Sequence, residues 1–66
     1  MKNPLTKREN EMLVLFSEGY TNKMVSDTLN LSIHTVASHR TNIKKKLEVT
    51  NSYSMITQAF RKGIMT

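Results

Sequence analysis

Between the segment NKMVSDTL (residues 22–29) and Ser32 stand only Asn30 and Leu31, and that shortage of connecting chain limits the possible folds severely. Thr21 before this segment and Ser32 before IHTVASHRTNIKKKL are both helix-start residues, whose hydroxyls accept an unpaired N–H of the first turn. Asn30 tolerates the left-handed backbone that stops a helix. Met24, Val25 and Leu29 recur at helical spacing and form the expected inner face of this second helix. Two helices joined by so few residues must pack directly on one another, which predicts a helix-turn-helix unit.

The same punctuation frames the rest of the chain. In LTKRE, Thr6 and Glu9 have the spacing of a capping box with Pro4 just outside, so a first helix begins there. Met12, Leu13 and Phe16 supply its apolar side, widened by Val14 or Leu15, and Gly19 ends it. The third helix runs from about Ile33 to Leu47. Asn51 or Ser52 then caps a fourth helix reaching about Lys62, with Met55, Ile56, Ala59 and Phe60 inward. Gly63 ends it, and Ile64 folds back on the core. With no repeat, low-complexity tract or strand-like alternation of useful length, the expected fold class is all-α: four helices in a single domain over residues 1–66.

A chain of 66 residues buries only about 60% of its unfolded surface, so its core is marginal. Without cysteine it has neither a disulfide nor a cysteine zinc site to staple it. The longest apolar run, MLVLF, falls well short of the roughly 20 residues that span a bilayer. MKNPLTKREN lacks the apolar stretch of a secretory signal, so a cytoplasmic location without a membrane partner is expected. The net charge of +5 and pI near 9.9 favour polyanions. Charge alone does not separate nucleic acid from an acidic membrane.

The third helix does more to separate them. At about 100° per residue, Val36, Ile43 and Leu47 fall within roughly 20° of one line and make the buried stripe. His34, Ser38, Thr41 and Lys45 lie on the far side, with Ala37 and Asn42 at its margins and Lys44 and Lys46 on opposite flanks. Short hydrogen-bonding side chains let a helix approach base edges, while flanking lysines reach the phosphate walls of a major groove. The helix N-terminus adds N–H groups that favour phosphate. A solvated lysine-rich face is the alternative, but the absence of acids and the tight turn before Ser32 argue for DNA.

The run LTKRENEML, then EGYTNKMVSDTLNLSIHTVASHRTNIKKKLEV, then AFRKGI resembles, without gaps, the LuxR/FixJ-type helix-turn-helix domain of bacterial transcription regulators. The resemblance implies a four-helix domain whose third helix, about residues 33–47, enters the major groove. The second helix braces it, and the fourth forms a homodimer contact. Carried onto this chain, the base-facing positions are Ala37, Ser38 and Thr41, with His34 nearby and Lys45 on the same face. DNA-backbone contacts fall to Asn22, Lys23, Thr35, His39, Arg40, Asn42, Lys44 and Lys46. Double-stranded DNA and a second copy are the implied partners, with RNA polymerase a further partner of such a regulator.

Two positions depart from the family pattern. Ala37 stands where a lysine is usual, so a base-contacting cation is lost, although a methyl can pack on thymine. A different operator preference follows, with less dependence on guanine there. Ser52 stands where an arginine usually pairs with the acidic cluster of the first helix, leaving Glu9 to be satisfied by its capping role. The family usually joins this domain to a receiver or a small-ligand sensor. An excised output domain and a stand-alone regulator both fit the sequence, with no small-molecule ligand expected within these residues.

His34 and His39 are five apart on one helix and point to different faces, so no metal pair is expected. His39 lies about 60° from the core stripe, where packing and phosphate contact are both open. Tyr20, after Gly19, is expected beneath the turn. Met12, Met24 and Met55 read as core filler. Tyr53, Thr57 and Arg61 share the outer side of the fourth helix; a solvated face is the alternative there, and the resemblance, which implies a dimer contact through this helix, assigns them to it. No nucleophile–base set, phosphate loop or carboxylate pair is recognisable, so neither an enzyme nor a cofactor is expected. The competing reading is a helix-turn-helix module whose basic face docks on an acidic protein, which the alanine at position 37 favours.

Overall fold

The computed structural model describes residues 4–61, and within that span the side chains of Ser52, Ala59 and Phe60 stand outside the description. Four helices follow in order: α1 (Lys7–Ser17), α2 (Asn22–Leu29), α3 (Ile33–Lys46) and α4 (Ser52–Arg61). No strand occurs among the described residues, and none of their helices is long and apolar enough to cross a membrane.

Each helix starts where a side chain satisfies a free N–H. Thr6 and Glu9 form the full capping box: the Glu9 N–H donates to Thr6 Oγ1 at 3.1 Å and the Thr6 N–H donates to Glu9 Oε1 at 2.9 Å. Thr21 accepts from the Met24 N–H, and Ser32 accepts from the Thr35 N–H, both at 3.1 Å. Before α4 the cap is Asn51, whose Oδ1 accepts the Ser54 N–H at 2.7 Å. Removing caps of this kind costs about 1 kcal/mol each.

The helix ends share one device. After α1, Gly19 takes φ 93°, the Tyr20 N–H reaches the Leu15 carbonyl and the Gly19 N–H reaches the Phe16 carbonyl. Asn30 takes φ 56° after α2, so the Leu31 N–H bonds to the Ser26 carbonyl. After α3 the left-handed residue is Glu48, at φ 59°, with Val49 bonded to Lys44 and Glu48 to Lys45. Positive φ in a glutamate is strained, because its Cβ crowds the following carbonyl. Only the first two stops are legible in the sequence.

Leu5, Met12, Leu13, Phe16, Val25, Val36, Ile43, Leu47 and Met55 form the buried core, with Leu15, Tyr20, Leu29, Leu31, Val49 and Ile56 packed against it. Every helix therefore contributes to one cluster. Leu5, ahead of α1, belongs to the core although no helical spacing announces it. Met24 corrects an expectation: it is 45% exposed. Val25 and Ser26 are the buried residues of α2, with Leu29 a turn further on, and Met24 sits about 100° away on the opposite side of that group. Of the two residues offered to widen the α1 face, Leu15 packs inward and Val14 is exposed. Gly63, Ile64 and the end of α4 at Lys62 lie outside the described residues, as do the side-chain positions of Ala59 and Phe60.

Glycine at position 48 would relieve the strained stop and remove a negative charge from the C-terminal end of α3. Glu48→Gly is expected to raise the unfolding free energy by about 0.5–1 kcal/mol in urea titration. An unchanged or lower midpoint would show that the left-handed turn carries no such strain.

Candidate nucleic-acid interface

α3 presents its polar side to solvent as the wheel requires. Val36 and Ile43 are fully buried, with Leu47 closing the stripe, while His34, Ala37, Ser38, Thr41 and Lys45 are all exposed. The five residues assigned to base edges thus occupy one continuous outward face. At the N-terminal end, Ser32 and Thr35 join through their hydroxyls at 2.9 Å, and Ser32 takes the Thr35 N–H. The rest of that first turn keeps amide groups directed out of the helix end.

Beside this face runs a shallow groove of about 240 Å³ lined by His34, Thr35, Ser38, His39 and Asn42. Three of these residues, Thr35, His39 and Asn42, are ones assigned to the DNA backbone. His39 is half-buried, and its Nδ1 is fully buried without a hydrogen-bond partner. His34 and His39 share the groove wall, and no cluster of three or more His, Cys, Asp or Glu side chains suited to a metal occurs among the described residues.

The cations assigned to phosphate divide into two kinds. Lys44 is half-buried and Lys45 exposed at the end of α3. Lys23, at the start of α2, is exposed and pairs with Asp27 at 2.8 and 3.1 Å, one helical turn away. Such an exposed pair contributes only about 0.3–0.5 kcal/mol and leaves the ammonium available to a stronger anion. Arg40 and Lys46, by contrast, already have partners within the fold. The Arg40 Nη1 donates to Asn22 Oδ1 at 2.7 Å, and its guanidinium lies 4.5 Å over the Phe16 ring. The Lys46 Nζ donates to Glu9 Oε1 at 2.7 Å.

Capping alone does not satisfy Glu9. Its side chain is 5% exposed, so the carboxylate needs a countercharge as well as a cap, and Lys46 supplies it. Burial pushes the carboxyl up, but the Lys46 ammonium and the Thr6 N–H and hydroxyl outweigh it and hold it below its ordinary value. The sequence carried a signal for this: Glu9 stands in register with Met12, Leu13 and Phe16 on the inner side of α1. A similar signal marks Arg40, which lies only about 40° from the core line of α3.

On α4, Tyr53, Thr57 and Arg61 form the wall of a second shallow groove, about 200 Å³, together with Ser54 and Gln58. Tyr53 is 81% exposed, an unusual position for a large aromatic side chain.

Residues 3–59 match the family described as bacterial regulatory proteins, luxR family. The chain is 47% identical over 64 residues to the uncharacterized response regulatory protein YgeK of Escherichia coli K12, covering 97% of this chain and 44% of that one. It is 39% identical over 64 residues to the transcriptional regulatory protein MctR of Rhizobium johnstonii, covering 97% of this chain and 30% of that one. This chain therefore spans less than half the length of these relatives. Among solved structures, the transcription factor GerE superposes with a TM-score of 0.90 at 32% identity, over 98% of this chain and 97% of that one. The response regulator ChrA of a heme-sensing two-component system superposes at 0.91 and 31%, over 98% of this chain and 32% of that one.

The Glu9–Lys46 pair sets an acid limit on stability. Because the folded carboxyl titrates below its ordinary value, its contribution is full above the ordinary glutamate pKa and disappears as pH falls through the folded one. Glu9→Gln is expected to lower the unfolding free energy at neutral pH by about 1–3 kcal/mol, the worth of a charged hydrogen bond. It should also flatten the fall in stability as pH drops below the ordinary glutamate pKa. Parallel acid titrations of the two proteins would sink this account.

Proposed function

The chain belongs to the luxR family of bacterial regulatory proteins, as a helix-turn-helix DNA-binding domain, and on that premise we propose that it reads a specific duplex sequence with α3 in the major groove. The observation that carries this is the exposed face His34, Ala37, Ser38, Thr41 and Lys45, set opposite the buried Val36 and Ile43. A helix anchored through one stripe and bare on the other offers its short side chains to base edges without rearrangement. Ala37 meets a thymine methyl, Ser38 and Thr41 meet donors and acceptors, and His34 stands at the groove wall. Lys45 extends the face with charge.

Thr35, His39 and Asn42 along the adjoining groove, Lys44 at the end of α3, and Lys23 and the Asn22 amide at the start of α2 hold the phosphates. Contacts of this kind fix register and supply salt-dependent affinity, while base edges supply choice. The domain works as a homodimer through α4, with Tyr53, Thr57 and Arg61 against the same face of a second copy. The exposed Tyr53 beside a shallow groove supports this, since aromatic side chains that are left in water anchor protein contacts. Two copies so joined place their recognition helices about 10 base pairs apart, one helical turn. Acting in transcription, the dimer then meets RNA polymerase at the promoters it occupies.

Selection of bound sequences from a random duplex pool at about 150 mM salt, near physiological ionic strength, tests this reading. Two half-sites about one turn apart are expected. Binding that fades with salt and enriches no motif would transfer the basic face to an acidic protein partner. On the selected site, Lys44→Ala should weaken binding to all sequences and lower the slope of log K against log salt by about 0.9. Thr41→Ala should leave the slope alone and change preference at one position by about 1–3 kcal/mol. Equal losses on every sequence for both variants would refute the division of roles.

A further inference from the structure

Arg40 and Asn22, both assigned from the sequence to phosphate, are partners of each other in the fold. Their hydrogen bond, 2.7 Å from Nη1 to Oδ1, spans 18 residues and joins the middle of α3 to the first residue of α2. The same guanidinium lies 4.5 Å from the centroid of Phe16, a core residue of α1 only 5% exposed. One side chain thus touches the three helices whose relative angles decide how α3 is presented. The guanidinium can stack and donate in its plane together, which a lysine ammonium cannot reproduce.

The contact also orients the Asn22 amide. With its oxygen bound to the guanidinium, the amide keeps its NH2 group as the donor, on a half-buried residue at the capped N-terminus of α2 and directly before Lys23. An unbound asparagine would flip freely between offering an acceptor and offering a donor. Fixed this way round, it offers a donor, the polarity that a phosphate needs.

We infer that Arg40 is a positioning residue for sequence reading. It locks the bracing helix to the recognition helix and holds Asn22 with its NH2 ready for phosphate, without itself neutralising DNA charge. This inference rests on the DNA-binding reading for its binding consequences, but not for the strut itself.

The test uses Arg40→Lys, Arg40→Met, Asn22→Ala and the Arg40→Met/Asn22→Ala double variant. In urea unfolding without DNA, the double variant should lose less than the product of the single losses in the folding equilibrium constant, by at least about threefold. Duplex binding is then measured over a salt series at a temperature where each variant is folded. Arg40→Lys and Arg40→Met should both weaken the selected site about tenfold, weaken random duplex only as much as Asn22→Ala does, and leave the salt slope unchanged, since the Asn22 amide carries no charge. Asn22→Ala should add nothing to the loss in Arg40→Met. A phosphate ligand would behave otherwise: Arg40→Lys would bind like the parent, and Arg40→Met would lose about 0.9 from the slope. That pattern, or additive unfolding losses, overturns the inference. A parent chain that shows no sequence preference overturns the DNA-reading part, and the unfolding cycle then decides the strut alone.

Discussion

How α3 is rotated about its own axis decides which of its side chains face solvent and which face α1 and α2. The helix has 14 residues, of which Val36 and Ile43 are buried, with Leu47 beyond its end. A fully buried aliphatic side chain is worth about 1.5–3 kcal/mol, so this narrow stripe holds the helix down but leaves a wide arc uncommitted. The two flanks of the stripe are tied separately. Arg40 fastens one to α2 and α1, and Lys46 fastens the other to the start of α1. A turn of one residue about the axis would break both links. What remains outward, from His34 to Lys45, is therefore defined by polar contacts as much as by apolar burial.

Glu9 is the anchor of the second flank and does two jobs with one carboxylate. Its Oε1 takes the Thr6 N–H that opens α1 and the Lys46 ammonium that closes α3. A buried carboxylate adds little net stability over an apolar residue, but it tolerates only an arrangement that satisfies it. Removing either partner would leave the other unsatisfied, a cost that weighs heavily in a domain of this size. The capping box thereby extends from a local device to a clasp between the chain's first and third helices.

The use of cations within the fold changes the electrostatics of the proposed interface. The basic run at the end of α3 suggests from the sequence a uniform band of charge. In the structure Lys46 faces a carboxylate and Arg40 an amide and a ring, so the outward charge of this helix rests with Lys44 and Lys45. Sequence choice then weighs more against general phosphate attraction than the net charge of +5 alone implies.

Local sequence settles the order of the helices and most of their ends. Thr6, Thr21, Ser32 and Asn51 act on amides three residues ahead, and Gly19 and Asn30 act on the turn before them, so each decision is local. It also places the centre of the outward face of α3, opposite Val36, Ile43 and Leu47, while the edges of that face rest on the polar ties of Arg40 and Lys46. Tertiary structure alone decided that Glu9 finds Lys46 across 37 residues, that Arg40 finds Asn22 across 18, and that Met24 turns to solvent. It likewise decided that Glu48, with no intrinsic preference for it, adopts the left-handed stop after α3. Periodicity specifies which side of a helix is inward, but the partner of a charged side chain depends on the angles at which helices pack, and those are set only when the whole core closes.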